Sequence, residues 1–132
     1  MLELKNVEFS YYNSGLFRFP DFVCEDGENH LISGPSGCGK TTLLHLMAGL
    51  LRPHKGSIKV NGVNIADMEI SQVDHIRGKN IGIVFQKPYF VSSLNVGDNV
   101  GLALYFNKIK KSKAEITTIL DKLNIEIGRA HV

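Results

Sequence analysis

The sequence predicts an α/β fold with a glycine-rich loop set between a strand and a helix, and three observations predict it. The run Gly34-Pro35-Ser36-Gly37-Cys38-Gly39-Lys40-Thr41-Thr42 fits the spacing Gly, four residues, Gly, Lys, then Ser or Thr. Residues 30–33 before it read as a short strand, and residues 41–50 after it read as a helix. Around this unit, strand-like runs fill the N-terminal third and helix-period runs fill the C-terminal third.

Taken in order, residues 2–9 (Leu-Glu-Leu-Lys-Asn-Val-Glu-Phe) alternate as a half-buried strand does. Residues 16–23 read as a second strand, placed at an edge because Pro20 cannot donate to a ladder. Asn13-Ser14-Gly15 and Asp26-Gly27-Glu28 supply the turns on either side. The helix over 41–50 is apolar on nearly every face, which predicts a buried element, and Pro53 and Gly56 close it. Residues 57–60 and 63–65 flank Asn61-Gly62, a strong hairpin signal because both positions tolerate positive φ. A short helix is expected over 70–77, an apolar strand over 81–85, and helices over 96–106 and 113–123. The last of these is amphipathic, with Ile116, Ile119, Leu120 and Leu123 on one stripe. Internal repeats and low-complexity segments are absent from the sequence.

Composition narrows the function classes. The chain has 132 residues, room for one domain at most, with a modest core. Its hydrophobic share is 43% and its charged share 21%, as in ordinary globular proteins. A net charge of +2, with Lys and Arg scattered, gives no reason to expect nucleic acid as a partner. The densest basic stretch, Lys108, Lys110, Lys111 and Lys113, reads as a solvated turn between helices. The longest apolar run, residues 43–51, contains His45 and falls short of the roughly 20 residues a membrane span needs. Glu3 and Glu8 occupy the place where a signal peptide's apolar stretch would begin, so a cytoplasmic location is expected. Cys24 and Cys38 are too few for a disulfide framework and are read as thiols. His30, His45, His54, His75 and His131 do not stand at ligand spacing, and no cysteine joins them, so no transition-metal site is expected. Asp67, Glu69 and Asp74 read as solvated charge.

The glycine-rich loop has a mechanism behind each position. Triphosphate oxygens are held best by several backbone N–H groups converging from one concave turn, and side chains would block that approach. Gly34, Gly37 and Gly39 leave the backbone open there, with Ser36 and the small Cys38 between them. The helix that follows aims the positive end of its dipole at the same place. Lys40 adds a full charge for the β- and γ-phosphates, Thr41 offers a hydroxyl to Mg²⁺, and Thr42 can reach the α-phosphate. The cofactors so implied are a nucleoside triphosphate and Mg²⁺. A glycine-rich turn with an incidental lysine is the alternative.

With its continuation Leu43-Leu44 and Met47-Ala48-Gly49-Leu50, this segment resembles the Walker A segment and following helix of ABC transporter ATP-binding subunits. The stretch from Pro53 through Gly56-Ser57-Ile58 to Asn61-Gly62 resembles the same family. Within it the chain looks most like the small exporter and lipoprotein-releasing type. The resemblance runs over essentially the whole chain and implies a P-loop NTPase fold of ABC type. An N-terminal antiparallel β subdomain would occupy residues 1–30 and 57–66. A partial parallel core carrying the P-loop would occupy 31–56 and 67–86, and the start of a helical subdomain 87–132. It also implies MgATP binding and hydrolysis coupled to transport, a transmembrane permease subunit as partner, a homo- or hetero-dimer with another ABC ATPase domain, and a peripheral place at the cytoplasmic face of the membrane.

Three more positions take roles from the resemblance. Tyr11, in Phe9-Ser10-Tyr11, matches the aromatic that stacks on adenine, with Tyr12 a competing candidate and cross-strand packing the bland alternative. Gln86, after Ile81-Gly82-Ile83-Val84-Phe85, matches the Q-loop glutamine, which touches Mg²⁺ or the attacking water. Lys40 and Gln86 are thus the candidate catalytic residues, and Thr41 and Gln86 the candidate Mg²⁺ contacts. Tyr89, Phe90 and Val91 match a region that faces the permease; packing into the domain's own helical part is the alternative.

The sequence departs from the family pattern in one respect. No Asp-Glu pair follows an apolar strand, no Leu-Ser-Gly-Gly-Gln signature occurs, and no later switch histidine is identifiable. These 132 residues are expected to position phosphates but not to activate water, so their own turnover should be very low. An interrupted, catalytically silent nucleotide-binding fragment is the competing reading, and it predicts poor stability of the isolated chain, with no cooperative, reversible melt above about 50 °C. Other P-loop classes fit less well. A small-molecule kinase would need an Arg-rich lid, and only Arg77 and Arg129 lie downstream of the fold's first half. A GTPase would need Asn-Lys-x-Asp, and Asn107-Lys108 is followed by Ile109-Lys110. A soluble ABC protein acting on DNA or ribosomes would be expected to carry a second cassette or an arm, and neither is seen.

Overall fold

The computed structural model describes residues 1–12, 15–87, 89–106, 109 and 113–122. It divides into two compact units, Met1–Ile81 and Gly82–Val132, each taken by itself below.

The first unit is an antiparallel sheet with two helices on one face. Strand β1 (Leu2–Phe9) is its spine. On one edge it pairs with β2 (Phe17–Arg18) near its C-terminal end and with β3 (Phe22–Cys24) near its N-terminal end. On the other edge it pairs with β4 (Lys55–Val60), which pairs in turn with β5 (Val63–Asn64) across Asn61-Gly62. The single strand expected over 16–23 is thus two short ones, separated by Phe19, Pro20 and Asp21. Pro20 has no N–H to offer the ladder at that point.

A bulge sets which residues of β1 face the core. The β1–β4 pairing shifts register between Lys5 and Glu8, and Asn6 takes φ +51°. Leu4 and Val7 therefore point to the same side although three positions separate them, and Leu4, Val7 and Phe9 are all buried. Gly56 fits against this bulge with φ +92°; a Cβ there would lie 2.4 Å from the carbonyl oxygens of Lys5 and Asn6.

Helix α1 (Lys40–Met47) and helix α2 (Ile70–Asn80) cover the sheet. Leu46 and Val73 join Leu4, Val7, Phe9, Ile58, Val60 and Ile65 in one core. Glu69 and Gln72 cap α2 reciprocally, satisfying two orphan N–H groups. The two helices approach closely at Gly49, whose carbonyl accepts from Arg77 Nη1 at 3.1 Å. The reading of α1 as buried on nearly every face is corrected: Leu46 is fully buried but Leu44 is 52% exposed.

Two expected strands are also corrected. Residues 30–33 and 81–85 take no strand pairing, and Leu31 and Val84 stand 91% and 99% exposed. An apolar run becomes a strand only where a neighbouring strand completes its backbone hydrogen bonds, and no strand among the described residues pairs with either run.

The second unit holds α3 (Val96–Phe106) and α4 (Lys113–Lys122). The two pack on each other, with Leu120 buried. Asn95 caps α3 by accepting from the Asp98 N–H at 2.8 Å, and the Asn99 side chain ties the preceding turn through Val91. The expected basic turn at Lys108, Lys110 and Lys111, the turn residues Asn13 and Ser14, and Leu123 of the amphipathic stripe lie outside the described residues. Among the described residues no helix is long and apolar enough to cross a membrane.

Candidate phosphate-binding site

The glycine-rich loop leads directly into α1. Residues 34–38 are exposed, and Gly39 stands as the N-cap of the helix with φ +95°. That left-handed conformation suits glycine, and space enforces the choice as well. A Cβ on Gly39 would lie 3.0 Å from Phe17 Cδ1 and 3.1 Å from Phe17 Cε1. Phe17 stacks on Phe19 with ring centroids 6.1 Å apart, and both rings stand beside Gly39. Phe17 had no signal in the sequence beyond ordinary strand patterning; only the fold brings it to Gly39.

The first turn of α1 carries no acidic residue and no side-chain cap. Its N–H groups and the positive end of the helix dipole therefore face the loop without a resident negative charge. Lys40 curls back over the loop. Its Nζ donates to Gly34 O at 2.8 Å and to Pro35 O at 2.7 Å, and lies 3.7 Å from Cys38 Sγ. The ammonium thus sits at the mouth of the loop, held by neutral carbonyls that a charged oxygen would outcompete. Thr41 is exposed at the helix start, and Thr42 is buried, 7% exposed.

Tyr11 comes to the same place from the end of β1. Its hydroxyl lies 3.2 Å from Thr42 Oγ1, and its ring meets Phe9 edge-on at 4.8 Å. Phe9 in turn stacks on His54 at 5.4 Å, and His54 Nε2 lies 3.2 Å from Ser10 Oγ. Tyr12, the competing candidate, is 95% exposed. The fold therefore gathers Tyr11, Gly34, Ser36, Gly37, Cys38, Gly39, Lys40, Thr41 and Thr42 around one helix N-terminus. Gln86 belongs to the second unit, as do Tyr89 and Phe90, which are 80% and 74% exposed; Tyr89 meets Phe85 edge-on at 5.3 Å. A separate cavity of about 380 Å³ opens between α1 and α2, lined by Leu46, Gly49, Arg52, Val73 and Arg77 among others. No residue of the glycine-rich loop lines it.

The absence of any grouping between histidine and cysteine, expected from spacing, is also corrected. Cys24, Glu28 and His30 converge, their donor atoms all within 4.8 Å of one another. The turn at Asp26-Gly27, with Gly27 at φ +84°, folds Glu28 and His30 back onto the end of β3. The Glu28 carboxylate accepts from the Glu25 N–H at 2.9 Å and lies 3.1 Å from His30 Nε2. These two contacts hold its pKa below the ordinary glutamate value, the backbone N–H contributing most.

The chain as a whole is similar to known proteins. The family model described as ABC transporter matches residues 18–131. The ABC transporter ATP-binding protein YxdL of Bacillus subtilis is 35% identical over 131 residues, covering 96% of this chain and 51% of its own length. The lipoprotein-releasing system ATP-binding protein LolD of Hyphomonas neptunium is 31% identical, covering 99% of this chain and 60% of its own length. The chain thus spans roughly half the length of the curated relatives it matches. Among solved structures, the ATP-binding cassette MJ0796, a dimer bound to ADP and Pi after hydrolysis, superposes with a TM-score of 0.85. Its identity is 27%, with 96% of this chain and 58% of that one covered.

Proposed function

Because this chain belongs to the ABC transporter family of ATP-binding domains, we propose that it supplies the Walker A and Q-loop half of a MgATP site in an ATPase that energises a membrane transporter. The observation that carries this reading is the convergence on the N-terminus of α1. Lys40 Nζ waits at the loop mouth on two carbonyls, and Tyr11 is tethered to Thr42 at 3.2 Å. In this reading the backbone of residues 34–39 cradles the phosphates, Lys40 exchanges its carbonyl partners for β- and γ-phosphate oxygens, and Tyr11 offers its ring to adenine. Thr41 and Gln86 carry neutral oxygen donors, the kind a hard cation such as Mg²⁺ takes alongside phosphate oxygens, and both would contact that ion. When bound, Mg²⁺ would neutralise charge on the phosphates.

The partners are proposed on the same footing. A second ABC ATPase domain would complete the site as homo- or hetero-dimer, a reading supported by the dimeric structure of the cassette MJ0796. A transmembrane permease would meet the exposed aromatics Tyr89 and Phe90, at the cytoplasmic face of the membrane. A second reading, a catalytically silent nucleotide-binding fragment, draws support from the exposure of Leu31 and Val84. Titrating MgATP, ADP and inorganic tripolyphosphate into the full chain, with phosphate release followed in parallel, tests both. We expect saturable, mutually competitive binding with release at background. Absence of saturable binding would overturn the phosphate-site reading, and sustained release would overturn the silent one.

A further inference from the structure

We propose that Cys24, Glu28 and His30 form a binding site for a zinc-class transition-metal ion at the base of the segment that leads into the glycine-rich loop. Three donors of different hardness converge there, all within 4.8 Å of one another. Tetrahedral Zn²⁺ holds such donors about 3.3–3.5 Å apart, given metal–ligand bonds of about 2.0–2.3 Å. The remaining approach is short. Glu28 and His30 already meet at 3.1 Å, and their side chains are 51% and 37% exposed, free enough to adjust.

The local backbone presents these groups together. Cys24 is fixed as the last residue of β3, opposite Leu2. The Asp26-Gly27 turn returns the chain, and Glu28 N donates to Glu25 O at 3.2 Å to close it. The His30 ring is steadied by Phe22, edge-on with centroids 4.8 Å apart. Such outer contacts are what orient a metal-binding imidazole.

The donor set decides the class of ion. Thiolate and imidazole select zinc-like ions over Mg²⁺ and Ca²⁺, which take oxygen ligands. The ion would take Cys24 as its thiolate, with the thiol proton released to solvent. Solvent supplies the fourth ligand. His30 lies four positions before Gly34, so a bound ion would tie this segment to the sheet edge.

The test is titration of Co²⁺, then Zn²⁺, into the full chain after reduction and chelator treatment. We expect a near-ultraviolet thiolate-to-cobalt charge-transfer band that saturates at one equivalent and is displaced by Zn²⁺. Cys24→Ser should remove the band and Cys38→Ser should keep it. Glu28→Gln and His30→Ala should each weaken Zn²⁺ about tenfold or more. No band, or a band that survives Cys24→Ser, would overturn the site. Far-ultraviolet circular dichroism checks that Cys24→Ser folds as the parent does; if it does not, unchanged Zn²⁺ affinity in both Glu28→Gln and His30→Ala overturns the site equally.

Discussion

Replacing Lys40 with alanine should weaken MgATP binding about 30-fold while leaving the fold intact, and the structure supplies the arithmetic. Lys40 Nζ is already occupied, by Gly34 O at 2.8 Å and Pro35 O at 2.7 Å. Its full attraction to phosphate is therefore not realised as net affinity. A unit charge about 4 Å from a phosphate oxygen gains about 4 kcal/mol at the effective dielectric of a protein surface. The two carbonyl bonds it surrenders return about 1 kcal/mol each. The difference, about 2 kcal/mol, corresponds to roughly 30-fold in Kd. Stability should fall by the same two bonds, about 2 kcal/mol at most, because Gly34 and Pro35 are exposed and water takes over their carbonyls in part. The assay is isothermal titration of MgATP into Lys40→Ala and the parent chain, with urea unfolding of both. Unchanged ATP affinity in a folded variant would refute the assignment of Lys40 to the phosphates. A large loss of stability would show instead that its carbonyl contacts hold the loop together.

Tyr11→Ala should weaken ATP by about 1–3 kcal/mol and inorganic tripolyphosphate by nothing, because stacking acts on the base alone; equal losses for both ligands would remove the stacking role. Gly56→Ala should destabilise the first unit by about 2–3 kcal/mol in urea unfolding. Its Cβ would sit 2.4 Å from two backbone oxygens at φ +92°, where no side chain can yield. A near-neutral result would mean that the bulge at Asn6 is not held as described. Glu3 has a lowered pKa, first through its hydrogen bond from Lys5, against an opposing contribution from burial, and then through the charges of Lys5 and Lys59. A depressed carboxyl pKa stabilises the fold above the ordinary value of 4.5 and loses that contribution as pH falls through the lowered folded value. Glu3→Gln should therefore flatten the acid limb of the stability–pH curve; an unchanged limb would remove Glu3 from the account.

The glycine-rich loop and α1 were legible because their determinants are local. A loop that needs open backbone and positive φ, followed at once by a helix start, is written in consecutive residues from Gly34 to Thr42. The Asn61-Gly62 hairpin was legible for the same reason. The extra polar residue between Leu4 and Val7 is visible in the sequence, but its meaning as a bulge appears only when β1 pairs with β4. Residues 81–85 show the opposite limit. Their composition is that of a buried parallel strand, yet strand formation depends on hydrogen-bond partners that the run itself does not contain.

The sequence by itself determined the family, the glycine-rich loop and the Asn61-Gly62 hairpin. The last two rest on residues within about a dozen positions of one another, where φ preference and turn chemistry act directly. The tertiary structure alone decided which tyrosine reaches α1, that Phe17 stands beside Gly39, and that Cys24, Glu28 and His30 converge. The first two depend on strand pairing that joins positions far apart in the chain. The last depends on a turn whose sharpness comes from a single glycine at positive φ.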